Sequence, residues 1–223
     1  MPSGISSHPA PTSLFTAALL EDEGTLSTEQ RRSLLRDVNE DAQWLIRMVE
    51  NILSITRIHG DRQLAAEQEA AEEIAGAAAR KFTKRFPNTE LSVAIPEEVL
   101  LVPMDATLIQ QVLLNLMENA AIHGGAAHIR LSVERKGDRA CFTVRDDGCG
   151  IPPERLASLF DGTLAGQRGG VDGKKNMGIG LSVCRSIVKA HGGTMDVQNN
   201  DGGGACFRFY LPLKEESAFE AEG

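Results

Sequence analysis

The sequence predicts an α+β fold, with helices layered on a mixed β-sheet and an N-terminal helical-hairpin segment ahead of it. Three observations predict this. Strand-like runs come as neighbouring pairs, HIRLSVER with RACFTVRDD and TMDVQN with ACFRFYLPL. Helical runs with caps or glycine stops separate those pairs. Before them lies an apolar seam whose spacing alternates three and four residues, through Leu35, Val38, Ala42, Leu45, Val49, Ile52 and Thr56.

Each element follows from local chemistry. Residues 1–10 are polar and proline-bearing, which predicts disorder or a frayed helix start, and residues 12–22 are helix-compatible. Ser27 followed three residues later by Gln30 predicts a capping box opening a helix that runs to about Ile58. Met48, Ile52 and Ile55 widen its apolar stripe beyond a two-stranded seam, so the stripe predicts pairing with a second copy into a four-helix bundle; packing on the chain's own C-terminal domain is the other reading. Residues 64–85, rich in Ala and Glu, predict a helix. ELSVAI and VLLV predict short strands parted by Pro96. Asp105 or Thr107 opens a strong helix to about His123, stopped by Gly124-Gly125. Lys136-Gly137-Asp138 predicts a hairpin turn. Pro152 and Pro153 open a short helix through Phe160, and glycine-rich residues 162–177 predict a mobile loop. A helix follows to about Ala190, ended by His191-Gly192-Gly193. Asn199-Asn200-Asp201-Gly202 joins the last two strands, and the acidic tail after Lys214 predicts disorder.

Composition bounds the function. The 223 residues are 42% hydrophobic and 24% charged, with aromatics at only 4%, so the core is aliphatic. A net charge of −8 argues against a general nucleic-acid partner. No apolar run reaches the roughly 18–20 residues of a membrane span, and no signal peptide is recognisable, which predicts a cytoplasmic location. Cys141, Cys149, Cys184 and Cys206 are widely spaced and predict free thiols. No histidine pair has metal-ligand spacing. His123 and His191 end helices, where a partial positive charge suits the dipole, and His59 and His128 read as surface residues.

Three segments carry candidate chemistry. On the helix 105–123, Gln111, Asn115 and Asn119 stack at intervals of four beside an apolar face; they read either as a polar surface stripe or as groups meeting a polar ligand. Asp146-Asp147-Gly148-Cys149-Gly150 follows a strand end. An ionised Asp accepts hydrogen bonds only, so Asp146 suits an exocyclic amine, and the glycines let backbone approach a flat ligand; a simple turn is the alternative. Gly178-Ile179-Gly180 opens a helix, where free N–H groups favour phosphate. It fits neither a Rossmann fingerprint nor a P-loop. Each signal is weak alone.

Together, NLMENA, DDGCGIP and MGIGLSVCRSIVKAHGG resemble the N, G1 and G2 boxes of histidine kinases, and GGGACFRFYLP resembles their closing glycine-rich strand pair. The resemblance covers about residues 64–213 and implies the histidine kinase/Hsp90-like ATPase fold. It implies ATP and Mg²⁺ as cofactors. Asn119 would ligate Mg²⁺, and Asn115 would sit near the phosphates as the second catalytic residue. Asp146 would read the adenine amine. Gly148, Gly150 and Ile151 would lie against the base, Gly178, Ile179, Gly180 and Leu181 against the phosphates, and residues 162–177 would form the lid. Hydrolytic relatives carry Glu one turn before the magnesium-binding Asn; Asn115 stands there, which implies phosphoryl transfer over hydrolysis. EDAQWLIRMVENILSITRI, with Trp44 beside the seam, resembles the second hairpin helix of Kdp-type sensor kinases.

Three departures stand out. Ile122 replaces a usual Lys, and Thr163 replaces a usual Phe after Phe160. The phosphoacceptor pattern, His with Pro five places on, is not recognisable: His8 precedes Pro9, and Ser13 lies five on. The first hairpin helix reads as truncated or altered.

The resemblance therefore implies three regions: a dimerisation and phosphotransfer segment (1–60), a catalytic ATP-binding domain (61–215) and an acidic tail (216–223). It implies a homodimer through the 28–58 helix, transfer of the ATP γ-phosphoryl to a His and then to a response-regulator Asp, and a parent protein anchored in a membrane by segments outside this chain. A non-catalytic ATP-binding dimer, an anti-sigma-type serine kinase and an ATPase are the rival readings.

Overall fold

The structure, a computed structural model of the 223-residue chain, describes residues 26–39, 42, 45, 49, 66–156, 159 and 177–214, and leaves the side chains of 177–179 aside. His8, Trp44, Met48, Ile52, Ile55, Thr56, His59, Phe160, Thr163, residues 12–22, the rest of the expected lid and the acidic tail lie outside them. The chain divides into two compact units, residues 1–53 with 168–173 and residues 54–167 with 174–223.

In the first unit, residues 28–39, 42, 45 and 49 are helical. The capping box is present: the Ser27 N–H donates to Gln30 Oε1 (2.9 Å) and the Gln30 N–H to Ser27 Oγ (3.2 Å). Leu35, Leu45 and Val49 of the seam are each about half exposed on this single chain.

The second unit holds a five-stranded sheet in the order β2-β4-β5-β7-β6 and a separate β1-β3 ribbon. The strands are β1 (Glu67–Ala70), β2 (Glu90–Ala94), β3 (Leu101–Met104), β4 (His128–Lys136), β5 (Arg139–Asp146), β6 (Thr194–Asn199) and β7 (Ala205–Pro212). The helices are α1 (Ala71–Arg85), α2 (Ala106–Ile122), α3 (Pro153–Leu156) and α4 (Met177–Ala190). β2 pairs parallel with β4 and all other pairs are antiparallel, so the sheet is mixed as expected. Gly137 takes the positive φ (+63°) that the β4–β5 turn needs.

One expectation is corrected. Residues 67–70 form a strand rather than the start of a helix, because their backbone pairs with β3, Glu67 opposite Met104. A long-range partner for four backbone units overrides the helical propensity of EQEA. α1 then starts at Ala71.

Strand alternation builds the core. Ile129, Leu131 and Val133 of β4, Ala140, Phe142 and Val144 of β5, and Ala205, Phe207, Phe209 and Leu211 of β7 all point to the helix side. Phe142 lies directly opposite Phe209, and their rings stack with centroids 4.7 Å apart. α2 is the central helix, with Leu108, Ile109, Val112, Leu113, Leu116, Met117 and Ala120 buried. Asp105 caps it by accepting from the Leu108 N–H (3.0 Å). Arg85 of α1 reaches buried Glu118 of α2 (2.6 Å), and Lys81 bonds Gln110. At the other end, His191 is buried. Its Nδ1–H donates to the Ile187 carbonyl (2.7 Å) and its Nε2 accepts the Asp105 N–H (3.0 Å). That arrangement needs the neutral ring, and burial lowers its pKa. The expected positive charge at this helix end is therefore replaced by a neutral bridge between the end of α4 and the start of α2.

Candidate functional site

The site is assembled where the C-terminal half of α2, the loop after β5 and the start of α4 meet. Two contacts make the meeting. The Gly124 carbonyl, just past α2, accepts the Cys149 N–H (2.9 Å). Midway along the helices, Asn115 Nδ2 of α2 donates to Cys184 Sγ of α4 (3.7 Å).

Asp146 closes β5 and is buried. Its Oδ1 accepts two backbone N–H groups, from Gly148 (2.9 Å) and Ala205 (3.1 Å). Its Oδ2 receives no bond among the described residues. Burial raises its pKa above the ordinary carboxylate value, and the two N–H groups offset only part of that rise. The result is a fixed carboxylate with one uncommitted acceptor.

Asp147 faces elsewhere. Its Oδ1 accepts the N–H groups of Ala127 and His128 (both 2.9 Å), and its Oδ2 meets His128 Nδ1 (2.6 Å). The His128 backbone and ring bonds hold the Asp147 carboxyl below its ordinary value, and the same pair raises His128. The two adjacent aspartates thus pull the loop toward opposite strands, Asp146 to β7 and Asp147 to β4.

The glycines have backbone neighbours. A Cβ on Gly148 would sit 2.4 Å from the Gly124 carbonyl oxygen, so this glycine is required by loop-on-loop packing whether or not a flat ligand approaches. Gly150 has φ +71°. Ile151 is buried in the core, as is Leu181 of α4, so neither side chain is exposed to a ligand. Beside Gly180 a Cβ meets nothing within 4 Å among the described residues. Gly178 and Ile179 lie in the first turn of α4.

The Asn stripe divides in two. Asn115 is buried under α4 rather than on a surface, with Gln111 Nε2 donating to its Oδ1 (3.4 Å). Cys184 is fully buried, its thiol pushed up to about 12 by burial, so it stays protonated beside Asn115. Asn119 differs. Its Nδ2 is buried with no hydrogen-bond partner among the described residues. An orphaned amide calls for an explanation, and the two ends of an amide interchange by a flip, so this group can equally offer its oxygen. No cluster of three or more His, Cys, Asp or Glu able to hold a metal occurs among the described residues. A single amide oxygen from Asn119 fits Mg²⁺, which takes few protein ligands beside phosphate oxygens and waters.

Sequence reasoning missed Asn199 and Asn200. Asn199 Oδ1 accepts the Ile151 N–H (2.8 Å) and its Nδ2 donates to the Ile151 carbonyl (2.7 Å). Asn200 Nδ2 donates to the carbonyls of Asp146 (2.9 Å) and Ala205 (3.2 Å). Two consecutive Asn residues are ordinary turn formers, and nothing local signals a second role. All four cysteines are free thiols as expected, Cys149 exposed and the others buried. No described helix is long and apolar enough to cross a membrane.

A family model, histidine kinase-, DNA gyrase B- and HSP90-like ATPase, matches residues 104–215. The sensor protein KdpD of Clostridium acetobutylicum is 34% identical over 198 residues, 88% of this chain but 22% of KdpD, so the chain spans about a fifth of that relative's length. Among solved structures, the catalytic domain of histidine kinase ThkA superposes with a TM-score of 0.56 at 26% identity, over 66% of this chain and 95% of that one. Full-length ShkA in complex with AMPPNP superposes with a TM-score of 0.63 at 25% identity, over 90% of this chain and 42% of that one.

Proposed function

Because this chain belongs to the histidine kinase-, DNA gyrase B- and HSP90-like ATPase family, with a core of the Kdp sensor-kinase type, we propose that it binds Mg-ATP as the kinase core of a two-component sensor. In this reading residues 61–215 are the catalytic domain, 1–60 the dimerisation and phosphotransfer segment and 216–223 a tail. The γ-phosphoryl passes to a His and then to an Asp of a response regulator. The chain works in the cytoplasm, as a homodimer through the 28–58 helix.

The observation that carries the nucleotide reading is Asp146: buried, fixed through Oδ1, and with Oδ2 unbonded among the described residues. Its free oxygen accepts the exocyclic amine of adenine. Gly148, Gly150 and Ile151 line the base with backbone. Gly178, Ile179 and Gly180 offer N–H groups to phosphate at the start of α4, and Leu181 packs beneath them in the core. Asn119 holds Mg²⁺, which supplies charge neutralisation at the phosphates when bound, and Asn115 lies beside it. Catalysis of phosphoryl transfer rests on positioning and charge, with little bonding chemistry asked of the protein.

Asn115 favours transfer over hydrolysis. An amide tied to the Cys184 thiol has no basic oxygen with which to activate water. The sequence also supports a second reading, a non-catalytic ATP-binding dimer, because no acceptor motif surrounds His8.

Calorimetric titration with Mg-ATP tests the site. Asp146→Ala and Asn119→Ala each abolish measurable binding with the fold intact; unchanged affinity in both sinks the assignment. Incubation with γ-labelled ATP separates the two readings, since acid-labile label on the chain marks the kinase.

A further inference from the structure

We propose that Asn199 and Asn200 are positioning residues that clamp the two ends of the 146–151 loop and so fix the Asp146 carboxylate for adenine recognition. This rests on the nucleotide reading above.

The regular β5–β7 ladder ends with Arg145 opposite Cys206. Asp146 and Ala205 lie one step beyond it, yet the Ala205 N–H must still reach Asp146 Oδ1. The Asn200 side chain replaces the missing rung. Its Nδ2 donates to the Asp146 carbonyl and the Ala205 carbonyl together, at 2.9 and 3.2 Å, tying the two strand ends at the point where the carboxylate is set. The turn itself is closed by the Asn200 N–H to the Gly204 carbonyl (3.0 Å). Gly204 has φ +80°, and a Cβ there would lie 2.0 Å from the Asp146 carbonyl oxygen, so the approach leaves no room for a side chain.

Asn199 holds the other end. It meets the N–H and C=O of Ile151 with one donor and one acceptor, imitating a strand partner. A loop held at both ends has little freedom left to lose when a ligand arrives, which is the physical content of preorganisation. The chemistry is specific to the amide. Asn200 uses only its NH₂ group, and Asn199 needs both of its ends. An ionised Asp supplies acceptors alone. At position 200 it would set a carboxylate against two carbonyl oxygens.

The test compares Mg-ATP with Mg-ITP, whose base carries a carbonyl in place of the adenine amine. The full 223-residue chain is titrated calorimetrically, with thermal melts reporting the fold. Wild-type protein favours ATP. Asn200→Asp weakens ATP about tenfold, the scale of one hydrogen bond to a charged group, and leaves ITP within about twofold. Asn200→Gln, which keeps the donors, restores most of the preference. Asn200→Ser, without the amide or the added charge, supplies the same comparison if Asn200→Asp does not fold. Equal losses for the two nucleotides, or an unchanged ratio, overturn the clamp. Wild-type protein that binds ATP and ITP alike overturns the nucleotide reading, and the clamp with it.

Discussion

Replacing Asn119 with alanine should move stability and binding in opposite directions. The Asn119 side chain has a buried Nδ2 with no partner among the described residues, and such a group costs about 1–3 kcal/mol. Its backbone role survives the change, since the Asn119 carbonyl goes on accepting the N–H groups of His123 and Gly124 (2.9 and 3.1 Å). Alanine is also the better helix former by about 0.5 kcal/mol. Lost packing of the removed carbon offsets about 1 kcal/mol of this. The net expectation is a ligand-free protein more stable by about 1.5 kcal/mol, a rise in Tm of roughly 4 °C for a unit of this size. Wild-type protein at a hundredfold excess of Mg-ATP over Kd should gain about 2.7 kcal/mol, and the variant should gain none. Urea unfolding and thermal melts, each with and without Mg-ATP, measure both effects. A ligand-free variant less stable than wild type by 1 kcal/mol or more would refute the reasoning, because the amide must then have made a stabilising bond. So would a variant that keeps its nucleotide-dependent shift.

Three further outcomes follow from the geometry. Arg85→Ala leaves the buried Glu118 carboxylate without its guanidinium and should cost about 2–3 kcal/mol in urea unfolding, the partly exposed Arg85 keeping it below the range for fully buried pairs; adding Glu118→Gln should recover most of it. Gly193→Ala places a Cβ 2.3 Å from the Tyr210 carbonyl oxygen and 2.9 Å from Val188 Cγ1, so α4 must shift off β7; a loss of about 2 kcal/mol or more is expected, and a loss under 0.5 kcal/mol would contradict the contact. The His128–Asp147 pair gives a pH signature. The lowered Asp147 pKa contributes stability that is present above the ordinary carboxylate value of 3.8 and lost as pH falls through the lowered value. The raised His128 pKa contributes stability that is full below 6.5 and lost as pH rises through the raised value. The pair therefore acts most strongly between about pH 4 and 6.5, and His128→Asn should flatten the stability profile above that window.

The parts legible in the sequence are those whose cause is local. The capping box at Ser27, the turn at Gly137 and the alternation of β4, β5 and β7 each need only neighbouring residues, and each is present. The Asp146 loop and the start of α4 were legible as weak motifs that gain force from their order. What escaped depends on partners far along the chain. β1 has helical composition and becomes a strand only because β3 lies beside it. Asn200 is an unremarkable turn residue until Asp146, 54 positions away, is brought within 2.9 Å. Glu118 and Arg85 are 33 positions apart and carry no common signal. Asn115 was expected near phosphate; its bond to Cys184 shows that it fastens α2 to α4, a role set by helix packing rather than by spacing.

The neutral His191 bridge has a mechanical consequence. It joins the end of α4 to the start of α2, so the two helices run antiparallel and Gly178 sits at the far end of α4 from the joint. Thirteen residues of helix separate them, a lever arm of about 20 Å at 1.5 Å per residue. A tilt of only about 3° at this fulcrum swings the glycine pair by about 1 Å, enough to make or break hydrogen bonds to a phosphate. One imidazole, held neutral in the core, therefore sets the tolerance of the proposed phosphate grip a helix-length away.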